Sequence, residues 1–313
     1  MGEYQFRLVN YDQAPPEENR SLLQNRSPFS SGASFAEDAR CFIPGEQLED
    51  AINTAIAVGE PLLITGEPGT GKTQAAYYAA YKLGLEPVIH FQVKSDSSSH
   101  DLLYQFDSVR YFHDAHLNQP GQGKILHKTD YIEPGPMWEA IAAESPRVLL
   151  IDEIDKAPRD FPNDLLYELD KMEFVVTETK EKISARKENR PIVFITSNSE
   201  RKLPEPFLRR CVYHRIHFDD DLVLKAIANR KDQYSSLSPE FVKMAVRRFL
   251  ALRDLNLRKL PATGELLVWL RVLAIAVGTY PERLDEDLSK LPYIGVLLKD
   301  HQDIEEVRLS RHP

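Results

Sequence analysis

The sequence is poor in several things, and each shortage excludes something. Only two of its 313 residues are cysteines, Cys41 and Cys211. That rules out a disulfide framework and fits a reducing compartment, so a cytoplasmic location is expected. No run approaches the roughly 18 uncharged apolar residues that cross a bilayer. The richest stretch, Leu266 to Val277, is short and carries Arg271, so no membrane insertion is expected. The opening MGEYQFRLVN lacks the basic start and apolar block of a secretory leader. Without export, the Asn-x-Ser matches at Asn19 and Asn25 are chance. Positive charge is also short: 39 Lys and Arg face 48 Asp and Glu, a formal charge of −9. Such a chain is not a general nucleic-acid coat, although a local basic patch is compatible with it.

What remains is ordinary globular material. Hydrophobic residues make up 42% and charged residues 28%, enough for a real core. The length suggests about two domains. Residues 1–40 are polar, with Ala14-Pro15-Pro16-Glu17-Glu18-Asn19 showing neither helical nor strand period, and read as an extended N-terminal arm. From Cys41 the pattern changes. Glu46 to Val58 and Lys72 to Leu83 have helical spacing, the second ending before Gly84. Short apolar strands are expected at Pro61–Thr65, Val88–Val93, Arg147–Ile151, Ile192–Thr196 and Val212–Phe218. Strands alternating with helices indicate an α/β fold, a parallel-sheet sandwich covered on both faces, over residues 41–218. Residues 96–136 are irregular, with a clear loop at Asn118–Gly123. From Asp219 the strands stop. Ala226, Phe241–Leu252 and Glu265–Val277 are helix-like, so residues 219–313 are a smaller, mostly helical second domain.

Gly66-Glu67-Pro68-Gly69-Thr70-Gly71-Lys72-Thr73 fits G-x-x-x-x-G-K-[ST], with an apolar strand entering and a helix leaving. Glycines let backbone N–H groups wrap a phosphate without a clashing Cβ, and the helix N-terminus adds partial positive charge. In this pattern Lys72 reaches the β/γ-phosphates and the Thr73 hydroxyl ligates Mg²⁺. Val148-Leu149-Leu150-Ile151-Asp152-Glu153 is an apolar strand ending in two carboxylates. Adjacent carboxylates at a buried strand end repel each other unless a cation sits nearby. Asp152 is the candidate for the Mg²⁺ shell and Glu153 for orienting and polarising water. The plainer alternative is that Asp152 or Asp155 caps the segment that follows, and Asp155 is read as a cap or a supporting residue.

At this point the residues resemble a family. GEPGTGKT, VLLIDEIDKAPRDFPNDLL, PIVFITSN and LPEPFLRRC, in that order, are similar to an AAA+ ATPase of the MoxR-like group, over about Cys41 to Arg308. PGPMWEAI supports the subgroup. The resemblance implies an ATP-hydrolysing core followed by a helical lid, in a ring, usually a hexamer, with ATP and Mg²⁺ between subunits. It implies that Asn198 is a polar sensor near the γ-phosphate and the water, where the residue alone reads as a turn or helix cap. It places Arg209 and Arg210 at the position of an arginine finger, although an exposed Arg pair is usually just solvated. It further implies that the chain remodels or activates a partner, commonly a von Willebrand A-domain protein. One departure stands out: Gly264 occupies the place where related lid helices carry an arginine directed at the γ-phosphate from the same subunit. Arg271 lies seven residues on, about 10 Å along a helix, so it is a poor substitute.

Lys72 and Asp152 lie 80 positions apart. The resemblance accounts for that length by an insertion near residues 95–136. Met172 to Ala185 reads as strand-turn-strand, its trailing side basic through Lys180, Lys182, Arg186, Lys187 and Arg190, but diluted by Glu181 and Glu188. His113 and His116 have helical spacing for paired metal ligands, but no Zn-like ligand set follows. Two other functions compete with a protein-remodelling ATPase. One is a nucleic-acid motor of a restriction or defence type, which the basic hairpin favours and the net charge opposes. The other is a slow nucleotide-locked scaffold, suggested by Gly264. GTP in place of ATP is not excluded by the sequence.

Overall fold

The computed structural model describes residues 33–117, 126–276, 284 and 287–309. Two compact units emerge. One comprises Asp38–Pro68 and Lys72–His217; the other comprises Phe218–Pro313 together with Gly69–Gly71 and the segment that ends at Glu37.

The α/β unit is built on five strands: β1 (Leu62–Gly66), β2 (Ile89–Gln92), β5 (Val148–Asp152), β8 (Ile192–Ser197) and β9 (Val212–Ile216). Their order is β2-β5-β8-β1-β9, and every neighbouring pair is parallel. β1 and β5 are buried at every position, as expected for strands covered on both faces. Helices α2 (Glu46–Val58) and α3 (Lys72–Leu83) belong to this unit. Leu63, Leu149, Ile151, Val193, Ile195 and Phe207 form its core with Met137 and Phe161. Each such side chain, fully buried, contributes about 1.5–3 kcal/mol. Because all five strands run the same way, their C-terminal ends share one edge. There the register sets Gln92 beside Asp152 and Thr65 beside Ser197. Ligands of open parallel sheets bind at such an edge.

Outside the sheet the structure adds detail. A short helix, α1 (Ala33–Ala39), replaces the extended chain expected there, while residues 1–32 of the expected arm lie outside the described residues. The irregular stretch after Ser95 holds α4 (Ser99–Leu103), α5 (Ser108–Leu117) and an antiparallel pair, β3 (Tyr104–Phe106) with β4 (Ile132–Pro134). The loop expected at Asn118–Gly123 lies outside the described residues, as does Val277. Helix α6 (Pro136–Ala142) follows, then α7 (Phe161–Asp164) and α8 (Leu166–Lys171). β6 (Glu173–Val175) and β7 (Lys182–Ser184) pair antiparallel, the strand-turn-strand read from sequence. The short α9 (Glu205–Leu208) precedes β9.

The second unit is helical: α10 (Asp220–Ala228), α11 (Pro239–Arg253), α12 (Thr263–Ile275), α13 (Ile294–Leu297) and α14 (His301–Leu309). Asp219 caps α10 by accepting from the N–H groups of Asp221 and Leu222. Ser238 caps α11, with Pro239 at its first position, where a missing N–H costs nothing. Phe249, Trp269, Leu270 and Leu273 centre the core, and the Trp269 indole donates to Pro292 O at 2.8 Å. Asp303, fully buried, accepts from the backbone N–H groups of Arg258 at 2.9 Å and Lys259 at 3.0 Å. No helix among the described residues is long and apolar enough to cross a membrane.

Candidate functional site

The loop between β1 and α3 is shaped by its glycines. Gly69 and Gly71 have φ of 76° and 92°, in the left-handed region that L side chains rarely adopt. A Cβ on Gly69 would also meet Glu265 Oε2 at 3.0 Å and Ala262 Cβ at 3.1 Å, both grouped with Gly69 in the helical unit. Lys72, first residue of α3, is buried. Its ammonium donates to the carbonyls of Gly66 at 2.9 Å and Glu67 at 2.8 Å. Burial pushes its pKa below the usual lysine value, against the pull of Asp152, Asp155 and Glu153.

Next along the helix, the Thr73 hydroxyl donates to Asp152, at 3.0 Å from Oδ1 and 3.2 Å from Oδ2. Asp152 is buried at the end of β5. It also accepts from the Thr196 hydroxyl on Oδ1, and His90 Nε2 lies 3.3 Å from Oδ2. Burial disfavours the charged form, but hydrogen bonds from His90, Thr196 and Thr73 outweigh it and hold the carboxyl below its usual range. It is therefore ionised at neutral pH.

Glu153 stands in left-handed backbone, φ 60° and ψ 50°, uncommon for a residue with a Cβ. Its N–H donates to Thr196 Oγ1 at 2.8 Å, which pins the bend. The turn aims its carboxylate differently from that of Asp152. Oε2 accepts from Gln92 at 2.7 Å and pairs with Lys156; Oε1 accepts from the Asn198 amide at 3.0 Å. Asp155, buried, accepts from the N–H groups of Asn198 at 3.2 Å and Glu200 at 2.9 Å. It thereby closes the turn after β8 that carries Asn198, a supporting role.

One sheet edge thus gathers Lys72, Thr73, Asp152, Glu153 and Asn198. Arg209 and Arg210 are not gathered there. Both are exposed beside α9, and Arg210 donates to Pro206 O at 3.0 Å within its own turn. His90, Gln92 and Thr196 were missed as functional candidates. For His90 and Gln92 the available signal was polar residues at alternate positions in an otherwise apolar strand; Thr196, beside Ser197 at a strand end, offered no such alternation.

The residues present fit Mg²⁺. Thr73 Oγ1 and Asp152 supply hard oxygen donors already in contact. Among the described residues no group of three or more His, Cys, Asp or Glu forms a metal cluster. His113 and His116 lie on the exposed α5 and form no such cluster. Cys41 and Cys211 form no disulfide, and burial pushes the Cys211 thiol up to about 12. Of the basic hairpin, Lys182 pairs with Glu173 at 2.8 Å, and Arg190 donates to Gly59 O and Asp170 O. In the helical unit the N–H of Gly264 donates to Gly69 O at 3.1 Å.

A strand, a phosphate loop, a helix N-terminus and a second strand ending in carboxylates define a nucleotide-binding P-loop fold. More narrowly, residues 61–211, just under half the chain, match the AAA domain of the dynein-related subfamily. The matched segment runs from β1 to the turn before β9. A solved structure described as a proposed ATPase from Cytophaga hutchinsonii is similar over 89% of this chain and 84% of its own, at 15% identity and a TM-score of 0.41. No curated protein matches the sequence.

Proposed function

We propose that this chain binds ATP with Mg²⁺ and hydrolyses it, and couples the cycle to remodelling or activating a protein partner. The observation that carries the reading is the convergence of Lys72, Thr73, Asp152, Glu153 and Asn198 on the C-terminal edge of the sheet. Lys72 exchanges its two loop carbonyls for phosphate oxygens. Thr73 and Asp152 hold the metal side. The ion, when bound, neutralises charge on the transferred phosphoryl group. Glu153, whose side chain is 26% exposed, accepts a proton from water, with Asn198 setting its direction. Its present contacts with Lys156 and Gln92 have to loosen for that.

In this reading the exposed Arg209 and Arg210 serve a neighbouring copy in a ring, a hexamer by the MoxR-like resemblance. The protein partner, a von Willebrand A-domain protein by the same resemblance, has support in the apolar surface of α5, where Val109, Phe112 and Leu117 are exposed. The basic hairpin gives a nucleic-acid motor little support, since Lys182 and Arg190 are engaged within the chain. The test is phosphate release from ATP and GTP, with and without Mg²⁺, by wild-type chain and Lys72→Ala. Lys72→Ala should weaken nucleotide binding at least tenfold, the scale of one or two charge-assisted hydrogen bonds at about 1.5–3 kcal/mol each. Affinity within twofold of wild type would sink the phosphate-loop assignment.

A further inference from the structure

We propose that His90 is a positioning residue for the metal-side carboxylate: it fixes the rotation of Asp152 and thereby sets the affinity for Mg²⁺ in the nucleotide complex. This rests on the reading of Asp152 as the metal-side ligand. His90 lies on β2, directly beside β5 in the sheet. Its Nε2 is 3.3 Å from Asp152 Oδ2, with side-chain exposures of 24% and 7%. An ionised carboxylate only accepts, so Nε2 carries the hydrogen. In the neutral ring Nδ1 then accepts from the Tyr77 hydroxyl, 3.1 Å away. Tyr77, buried on α3, also sets its ring edge-on to the imidazole at 6.0 Å and 76°. Both ends of the imidazole are therefore occupied, and its orientation is fixed from the helix that carries Lys72 and Thr73.

The two oxygens of Asp152 are not held alike. Thr73 donates to both and distinguishes neither. Thr196 reaches only Oδ1, and His90 only Oδ2. These two define the carboxylate plane. A residue needed only to fill space on β2 would carry no such requirement, and an aromatic hydrocarbon would serve there at lower desolvation cost. Groups that orient a ligating side chain typically change metal affinity or activity by about 10–100-fold when removed.

The experiment is a titration of Mg²⁺ into purified protein holding a fluorescent, non-hydrolysable ATP analogue, read as the Mg²⁺ concentration that half-maximally tightens the nucleotide. Analogue affinity in EDTA serves as the control. His90→Phe should raise the Mg²⁺ requirement about 10–100-fold and leave the EDTA affinity within twofold. His90→Gln, whose amide N–H reaches as far as Nε2, should recover most of the loss. His90→Asn, one atom shorter, should not. Tyr77→Phe, which frees the ring without removing it, should shift the requirement in the same direction by less. If His90→Phe fails to fold, the Gln and Asn variants decide between them. Equal titrations for those two overturn the proposal, as does a wild-type titration for His90→Phe. Asp152→Asn separates the two levels. If it raises the Mg²⁺ requirement while the His90 variants do not, His90 has no positioning role and the metal-side reading stands. If Asp152→Asn itself titrates as wild type, the reading of Asp152 fails, and the inference with it.

Discussion

The two units bury polar side chains to different ends. In the α/β unit Thr65, Lys72, Asp152, Asp155, Thr196 and Ser197 are buried at strand ends, in the turn after β5 or at the start of α3, along one sheet edge; Gln74, Ser97 and Asn189 are buried as well. In the helical unit the buried polar side chains among the described residues are Arg230 and Asp303. Asp303 is closed by two backbone N–H groups, and Arg230, in the turn after α10, donates to Ala226 O among its contacts. A carboxylate closed by backbone N–H groups, as Asp303 is, is fixed by the fold that it stabilises. A charge satisfied by hydroxyls, an imidazole and loop carbonyls has partners that can exchange for a ligand. Asp155 shows that the distinction follows the contacts rather than the location: it sits at the functional edge but acts like Asp303, on backbone.

The largest effect expected belongs to residues that neither unit buries. Arg209→Ala or Arg210→Ala should lower the hydrolysis rate about 10³–10⁵-fold if that arginine acts across an interface. ATP affinity and the unfolding midpoint should stay near wild type, because an exposed side chain supports little of the fold. Mixing the inactive arginine variant with Lys72→Ala protein should restore activity, since each supplies what the other lacks. Confirmed mixed assemblies with no recovered turnover would remove the shared site.

Glu153→Gln comes next. The amide keeps the size and a hydrogen-bonding oxygen but takes no proton, so turnover should fall about 10²–10⁴-fold with ATP still bound. Single-turnover kinetics with an equilibrium binding assay separates the two. Turnover at the wild-type rate would place water activation elsewhere. Thermal stability should hardly change, which is the comparison's claim for a site residue with exchangeable partners.

The site divides into what local sequence encodes and what sheet order encodes. The phosphate loop was legible because its glycines meet a backbone demand visible within eight residues. The pair Asp152-Glu153 was legible because charges ending an apolar run are conspicuous. His90 and Gln92 were not, because their meaning depends on β2 lying beside β5, not beside its sequence neighbour β1. Nothing local announces that crossover. The strand Val88–Val93 reads as apolar overall, although its two polar residues alternate in the manner of a face with a task. β3 and β4, three residues each and far apart in sequence, are too short to show a period. The helix boundaries of α2 and α3, by contrast, follow directly from spacing and the glycines at their ends.

The helical unit should show the opposite trade. Asp303→Ala leaves two backbone N–H groups without their charged acceptor. Hydrogen bonds to charged groups contribute about 1.5–3 kcal/mol each, and relaxation recovers part, so a loss of about 2–4 kcal/mol is expected by denaturant unfolding. Asp303→Asn keeps one acceptor oxygen and should lose less. If Asp303→Ala were as stable as wild type, its burial would not be structural, and the contrast with Asp152 would collapse.

The smallest effect concerns Gly264, where two contributions must be weighed. Alanine is favoured over glycine by about 1 kcal/mol in a helix interior, but Gly264 is the second residue of α12, so the gain there is smaller. The new Cβ would meet Gly69 Cα and O at 3.5 Å, ordinary contact distance. The bond from the Gly264 N–H to Gly69 O uses backbone alone and survives the change. Gly264→Ala should therefore stabilise by about 0.5 kcal/mol, a rise in Tm of one or two degrees. Gly69→Ala, at φ 76° and with a Cβ 3.0 Å from Glu265 Oε2, should instead destabilise by about 1 kcal/mol or more. The sign of the difference is what matters. If Gly264→Ala were the more damaging of the two, Gly264 would be held by a backbone demand of its own.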